Sequence, residues 1–204
     1  MRIFKPFIAA LFVLTFSTAQ ASTTEVSRLQ GVIEAAVEAL YGECCAQLDL
    51  NEKQKKVRQA IESEYELNVV IRRAIGRNWR LLQPAQQERV LELVKQLVVK
   101  AYVSGMNGKA RPDIQLGEVI PVSDKRIEIP SKVQLDDKTY NVLYRLGKMK
   151  SGWEIYDIVA EDISVVSNYR DQIDDHFRKG TAAELITKLE NLLTKEDLNE
   201  DVKL

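Results

Sequence analysis

Apolar positions recur at two periods along this chain, a helical one in the first half and a strand-like one in the second. After an apolar run from Phe7 to Phe16, the residues Leu29, Val32, Ile33, Ala36, Val37 and Leu40 fall three and four apart. They predict a helix from Val26 to Leu40, ended by Gly42. Asn51 is a candidate cap for a second helix, whose early face of Lys53, Lys55, Lys56 and Arg58 reads as a solvated charge run. Tyr65 to Ile75 predicts a third, with Leu67, Val70, Ile71, Ala74 and Ile75 turned inward. Pro84 fits the first turn of a fourth, from Ala85 to Tyr102. That helix carries the broad stripe Val90, Leu93, Val94, Leu97, Val98 and Ala101 and is expected to be the spine of the fold.

Beyond the loop from Ser104 to Asp113 the pattern changes. Ile114 to Pro121, Arg126 to Leu135, Tyr140 to Met149 and Trp153 to Ala160 are rich in Ile, Val and Tyr and are separated by turn residues. They predict four antiparallel strands. In the third, Tyr140, Val142, Tyr144 and Leu146 alternate with polar Asn141 and Arg145 and point inward. In the fourth, both faces are largely apolar, so both are expected to be covered. Ser164 to Tyr169 is read as an extension of this strand, followed by helices near Arg170 to Arg178 and Thr181 to Leu193 with Gly180 between them. The expected fold is α+β: a helical N-terminal half packed on a curved, mainly antiparallel four-stranded sheet, with C-terminal helices. Periodicity leaves open whether the sheet covers a filled core or a ligand cavity.

The N-terminus adds an address. Arg2 and Lys5 precede the apolar run, and Ala19-Gln20-Ala21 supplies small residues at the positions a signal peptidase reads. The run is too short to cross a hydrocarbon core of about 30 Å. Residues 1–21 are therefore expected to be a cleaved signal peptide, with 22–204 a single domain exported to the periplasm. The chain has 29 basic and 30 acidic residues. Losing Arg2 and Lys5 leaves a net charge of about −3, an argument against nucleic acid. Cys44 and Cys45 are adjacent, which leaves a vicinal disulfide or two thiols as alternatives.

Little here suggests catalysis. The single histidine, His176, lies in a polar helical stretch with no flanking catalytic signature. One His and an adjacent Cys pair do not make a metal site. The glycines are scattered rather than gathered in a phosphate-binding loop. No catalytic residue, metal or cofactor is expected.

Several strings resemble a known family. Val142-x-Tyr144-x-Leu146, Trp153-Glu154-Ile155-Tyr156-Asp157-Ile158, Ile163-Ser164-Val165-Val166 and Asn168-Tyr169-Arg170-Asp171-Gln172 look like the signature of the MlaC family, also called the toluene-tolerance family. Ile75-Gly76-x-x-Trp79-Arg80, then Gln86-Gln87 and Tyr102, are similar to its helical region. The chain departs from the family pattern at Asp162, where Gly is usual, and at Val90, Val94 and Ile173, where aromatic residues are usual.

The resemblance implies an NTF2-like or cystatin-like architecture and a periplasmic phospholipid-binding shuttle that maintains outer-membrane lipid asymmetry. Its implied partners are an inner-membrane ABC transporter with an MlaD-like component and an outer-membrane MlaA-like lipoprotein complex, and its cargo is phospholipid. A non-catalytic periplasmic interaction module and an enzyme on an NTF2-like scaffold are the alternatives. Under the carrier reading, Tyr144, Leu146, Tyr156 and Ile158 from the sheet and Ile75, Trp79, Leu97 and Tyr102 from the helices are the expected pocket wall. Asp157 is expected to pair with Arg170, because a buried carboxylate needs a partner. Arg73, Arg77 and Arg80 recur at i, i+4, i+7. If Gly76 leaves the helix unbroken, they form a cationic edge for a headgroup or a partner protein.

Overall fold

The computed structural model describes residues 18–195. The expected signal peptide falls largely outside them. Six α-helices and a six-stranded antiparallel sheet follow the predicted order. Helix α1 (Thr18–Tyr41) leads through a 3-10 turn at Glu43–Cys45 to α2 (Leu50–Glu62). The cap of α2 is Asp49 rather than Asn51, because Asp49 and Glu52 bond each other's backbone N–H in a reciprocal capping box. Helix α3 (Leu67–Ile75) ends at Gly76, whose φ of 59° no continuing helix tolerates, and a 3-10 segment runs to Leu81. Helix α4 (Pro84–Met106) starts with proline in its first turn.

The sheet has two more strands than the four expected. The stretch from Ile114 to Pro121 splits into β1 (Asp113–Leu116) and β2 (Ile120–Ser123), which pair with different parts of β3 (Arg126–Leu135). Gly117 sits at the break, where a Cβ would lie only 2.9 Å from Cγ of Pro130. Strands β3, β4 (Lys138–Lys148) and β5 (Trp153–Ala160) form the expected meander. The sixth strand, β6 (Ile163–Ser164), is brief. Ser164 does not extend β5 into a longer strand. Its hydroxyl accepts from the Ser167 N–H and starts α5 (Val165–Phe177) at once. Thr181 and Glu184 cap α6 (Ala182–Thr194) in the same reciprocal way.

Three apolar layers hold these elements together. Leu29 and Val32 of α1 pack with Tyr65 on Ile127, Ile129 and Leu146 of the sheet. Ala36, Ala39 and Leu40 meet Val57 of α2 and Val99 and Val103 of α4. The C-terminal helices close a separate helical core around Ile75, Leu93, Leu97, Leu185 and Leu189. Each fully buried Leu or Ile removes enough apolar surface to contribute about 1.5–3 kcal/mol.

Candidate functional site

Register divides the side chains of β3, β4 and β5 between two faces. On one face, Ile127, Leu146 and Ile155 form a cross-strand row, Ile129, Tyr144 and Ile158 a second, and Ser131, Val142 and Ala160 a third. Ile127 and Leu146 of the first row and Ile129 of the second are buried against Leu29 and Val32 of α1. Cover thins along β4, where Tyr144, Val142 and Tyr140 are each only partly buried. The part of this face around Tyr144, Val142 and Ile158 thus lacks a complete roof.

Helix α4 contributes to the same region. Val98 and Tyr102, one turn apart, are 43% and 36% exposed despite their apolar bodies. Val98 therefore leaves the buried stripe expected of it, while Leu93, Leu97, Val99 and Val103 are buried. Burial pushes the Tyr144 phenol up to about 12, with neighbouring Tyr102 adding to the shift. Burial also pushes Tyr102 up to about 12, with Tyr41 adding to it. Tyr41 donates to the Met106 carbonyl at 3.2 Å, fastening α1 to the end of α4. All these phenols are neutral at physiological pH, so α1, α4 and β4 surround the open face with uncharged, amphipathic side chains.

The opposite sheet face is ionic at its centre. Arg145 donates to Glu128 at 3.0 Å and to Asp157 at 3.2 Å. Burial works to lower the Arg145 pKa, but its hydrogen bonds to both carboxylates outweigh that effect and leave it raised. Asp157 also accepts from the Ser164 hydroxyl at 2.8 Å and from the Val166 N–H at 3.2 Å. Beyond this cluster lies a cavity of about 560 Å³, lined by apolar Pro130, Leu143 and Val159 and by polar Lys132, Asn141 and Asp162 among others. Lys132, Arg145 and Asp162 put charged groups in its lining, so the Tyr144 face is the better surface for an apolar ligand.

The expected wall residues fall in different places. Tyr102, Tyr144 and Ile158 belong to the open face. Leu146 is on the same sheet face but fully buried under α1. Ile75, Trp79 and Leu97 belong to the helical core, Ile75 with no exposed surface. Tyr156 is the extra residue of a bulge opposite Arg145 and Leu146, and the Arg73 guanidinium lies 4.5 Å above its ring. Sequence reasoning passed over Tyr41 and the exposure of Val98. The Val98, Tyr102 spacing is the one signal for them, and it looks the same in a filled core.

Two expected ion arrangements are corrected. Arg170 does not pair with Asp157. It reaches across the Gly76 turn, where a Cβ would lie 3.3 Å from its Nε, and donates to the Arg73 carbonyl. Nor do Arg73, Arg77 and Arg80 form one helical edge, since Gly76 breaks the helix between them. Arg73 stacks on Tyr156, Arg77 pairs with Asp174 at 3.0 Å, and Arg80 is exposed on the 3-10 segment. The two cysteines are thiols with Sγ atoms 3.1 Å apart. His176 Nε2 meets the Thr181 carbonyl at 2.9 Å, joining α5 to α6. Among the described residues no group of three or more His, Cys, Asp or Glu could hold a metal, and no helix is long and apolar enough to cross a membrane.

Comparison with known proteins bears on this arrangement. No curated protein matches the chain. Among solved structures, a phospholipid-binding protein from Ralstonia solanacearum, determined in complex with a phospholipid, superposes with a TM-score of 0.72 at 19% identity. The match covers 82% of this chain and 95% of that one, and so establishes a shared fold. The model of the MlaC protein family matches residues 12–191, nearly the whole of the described structure, and the chain belongs to the MlaC family.

Proposed function

We propose that this protein is a periplasmic phospholipid carrier, exported by a signal peptide over residues 1–21, with residues 22–204 forming a single lipid-binding domain. The observation that carries the reading is the incompletely roofed apolar face around Tyr144, Ile158, Val98 and Tyr102. Family membership and a fold shared with a protein solved with phospholipid bound support it. In this reading the acyl chains complete the roof over the open rows. Apolar surface in water costs about 25 cal/mol per Å², so covering two acyl chains supplies the driving force for uptake. Transfer between membranes needs no covalent step, in keeping with a non-catalytic role.

Within the MlaC family this reading extends to a shuttle between an inner-membrane ABC transporter with an MlaD-like component and an outer-membrane MlaA-like lipoprotein complex, maintaining outer-membrane asymmetry. Mass spectrometry of organic extracts from protein purified from a periplasmic fraction tests the cargo. Near-stoichiometric phospholipid is expected. A lipid-free extract, combined with no uptake of added phospholipid, would overturn the reading.

A further inference from the structure

The β2–β3 and β4–β5 turns lie side by side at one end of the sheet. Arg126 is opposite Gly147, and the Lys148 N–H donates to the Lys125 carbonyl at 2.9 Å. Between them these two tips carry Lys125, Arg126, Lys148 and Lys150, all exposed, against one acid, Asp124. None of the four cations enters an ion pair among the described residues, although eleven such pairs are formed elsewhere. In a chain of net charge −1 this is a local concentration of positive charge. Beside the cations stand exposed apolar side chains. Ile120 is 49% exposed, Val122 53% and Met149 39%.

The local geometry holds this combination in place. Ile120 is paired opposite Glu128 and so lies on the same face as Arg126. A Cβ on Gly147 would come within 3.3 Å of both the Tyr156 ring and the Met149 methyl, so its absence lets these two side chains close over the strand. The guanidinium groups of Arg73 and Arg126 lie 4.5 and 6.0 Å from the centre of that same ring.

We infer that these paired hairpin tips are a docking surface for an anionic lipid bilayer. Exposed apolar side chains flanked by cations that have no carboxylate partner among the described residues suit a bilayer interface, where the apolar groups enter the headgroup boundary and the cations meet lipid phosphates. Lysine stems extend along apolar surface while their ammonium groups stay at the charged layer. The tips are turns at the end of the sheet, and their cations are not braced by ion pairs among the described residues. The surface is separate from the cargo face around Tyr144, so docking does not depend on what the protein carries.

Co-sedimentation of the purified protein with vesicles tests this directly. The protein is expected to pellet with vesicles of phosphatidylcholine containing phosphatidylglycerol and not with phosphatidylcholine alone, and to be released by high salt. The quadruple variant K125Q, R126Q, K148Q, K150Q should lower partitioning by roughly tenfold or more. Replacing the three lysines with Arg should preserve it, which separates loss of charge from loss of fold. The triple variant I120S, V122S, M149S should weaken binding while leaving its salt sensitivity. Equal pelleting with both vesicle types, or wild-type partitioning by the quadruple variant, would overturn the inference. Absence of pelleting with either would also overturn it and leave the tips to an acidic protein surface. The lipid content of organic extracts, measured separately, reports on cargo alone and distinguishes failure of docking from failure of the carrier reading.

Discussion

Asp157, buried on β5, answers three donors at once: the Arg145 guanidinium, the Ser164 hydroxyl and the first turn of α5 through Val166. It joins the sheet to the C-terminal helices at a point where water cannot substitute for a lost acceptor. Asp157→Ala is expected to destabilise the protein by about 3 kcal/mol, because it strands a part-buried cation as well as a buried N–H. Asp157→Asn keeps one acceptor and should cost less. Urea unfolding of the two variants beside wild type checks both the size and the order. The sequence made a partner for Asp157 predictable but not its identity. Arg145 is twelve residues away and faces Asp157 only through the β4–β5 register and its bulge, whereas Arg170 had to be compared without knowing that Gly76 opens a route to the Arg73 carbonyl. The cysteines are a contrasting case at this scale. They lie in the 3-10 turn between α1 and α2, outside the sheet that carries Tyr144, so replacing both with Ser is expected to leave bound lipid unchanged, as read from extracts.

Between elements, the clearest clamp is that of α2 on α4. Arg58 forks onto both carboxylate oxygens of Glu92 at 2.6 and 2.8 Å while holding Glu62 at 2.9 Å, and Lys95 closes the group on Glu62 at 2.8 Å. The hydrogen bonds from Arg58 hold Glu92 down at about 2, against an ordinary value of 4.5. Over that interval the unfolded chain binds more protons than the folded one. The contribution is therefore complete above about pH 4.5 and disappears as pH falls through about 2. Because these side chains are partly exposed, screening limits the clamp to about 1 kcal/mol. Arg58→Gln should accordingly lower stability near neutral pH and match wild type in strong acid. Denaturant midpoints for both proteins across this range provide the measurement. Glu25, raised by burial, shifts in the opposite sense, but it is common to both proteins and drops out of the comparison. Gly76 marks the other element boundary of consequence. Its φ of 59° and the Arg170 side chain 3.3 Å from a would-be Cβ predict that Gly76→Ala costs about 1 kcal/mol or more, by the same unfolding assay.

At the scale of the whole molecule, the helices were legible because their apolar spacing and their caps agree, and the β3–β4–β5 meander because alternation and turn residues coincide. The division of β1 from β2 was not, since Gly117 matters only once Pro130 lies beside it. The early start of α5 was hidden in Val165-Val166, two residues that favour strands until Ser164 caps them. The site was least legible, because a filled core and an unroofed face use the same residues. That leaves two surfaces competing for an acyl chain: the Tyr144 face, and the cavity of about 560 Å³ on the face of Arg145. They can be told apart by placing one carboxylate on each. Ile158→Asp puts a charge among the open apolar rows and Val98→Asp puts one a turn from Tyr102 on α4, where an acyl chain would have to leave it unsolvated, and both are expected to reduce bound phospholipid roughly tenfold or more. Leu143→Asp, in the lining of the other cavity, would share that lining with Arg145 and Lys132 and should leave the lipid content near wild type. Extracts of the three variants, each first shown to unfold cooperatively, decide the matter. Lipid lost from Leu143→Asp and kept by the other two would move the cargo to the Arg145 face.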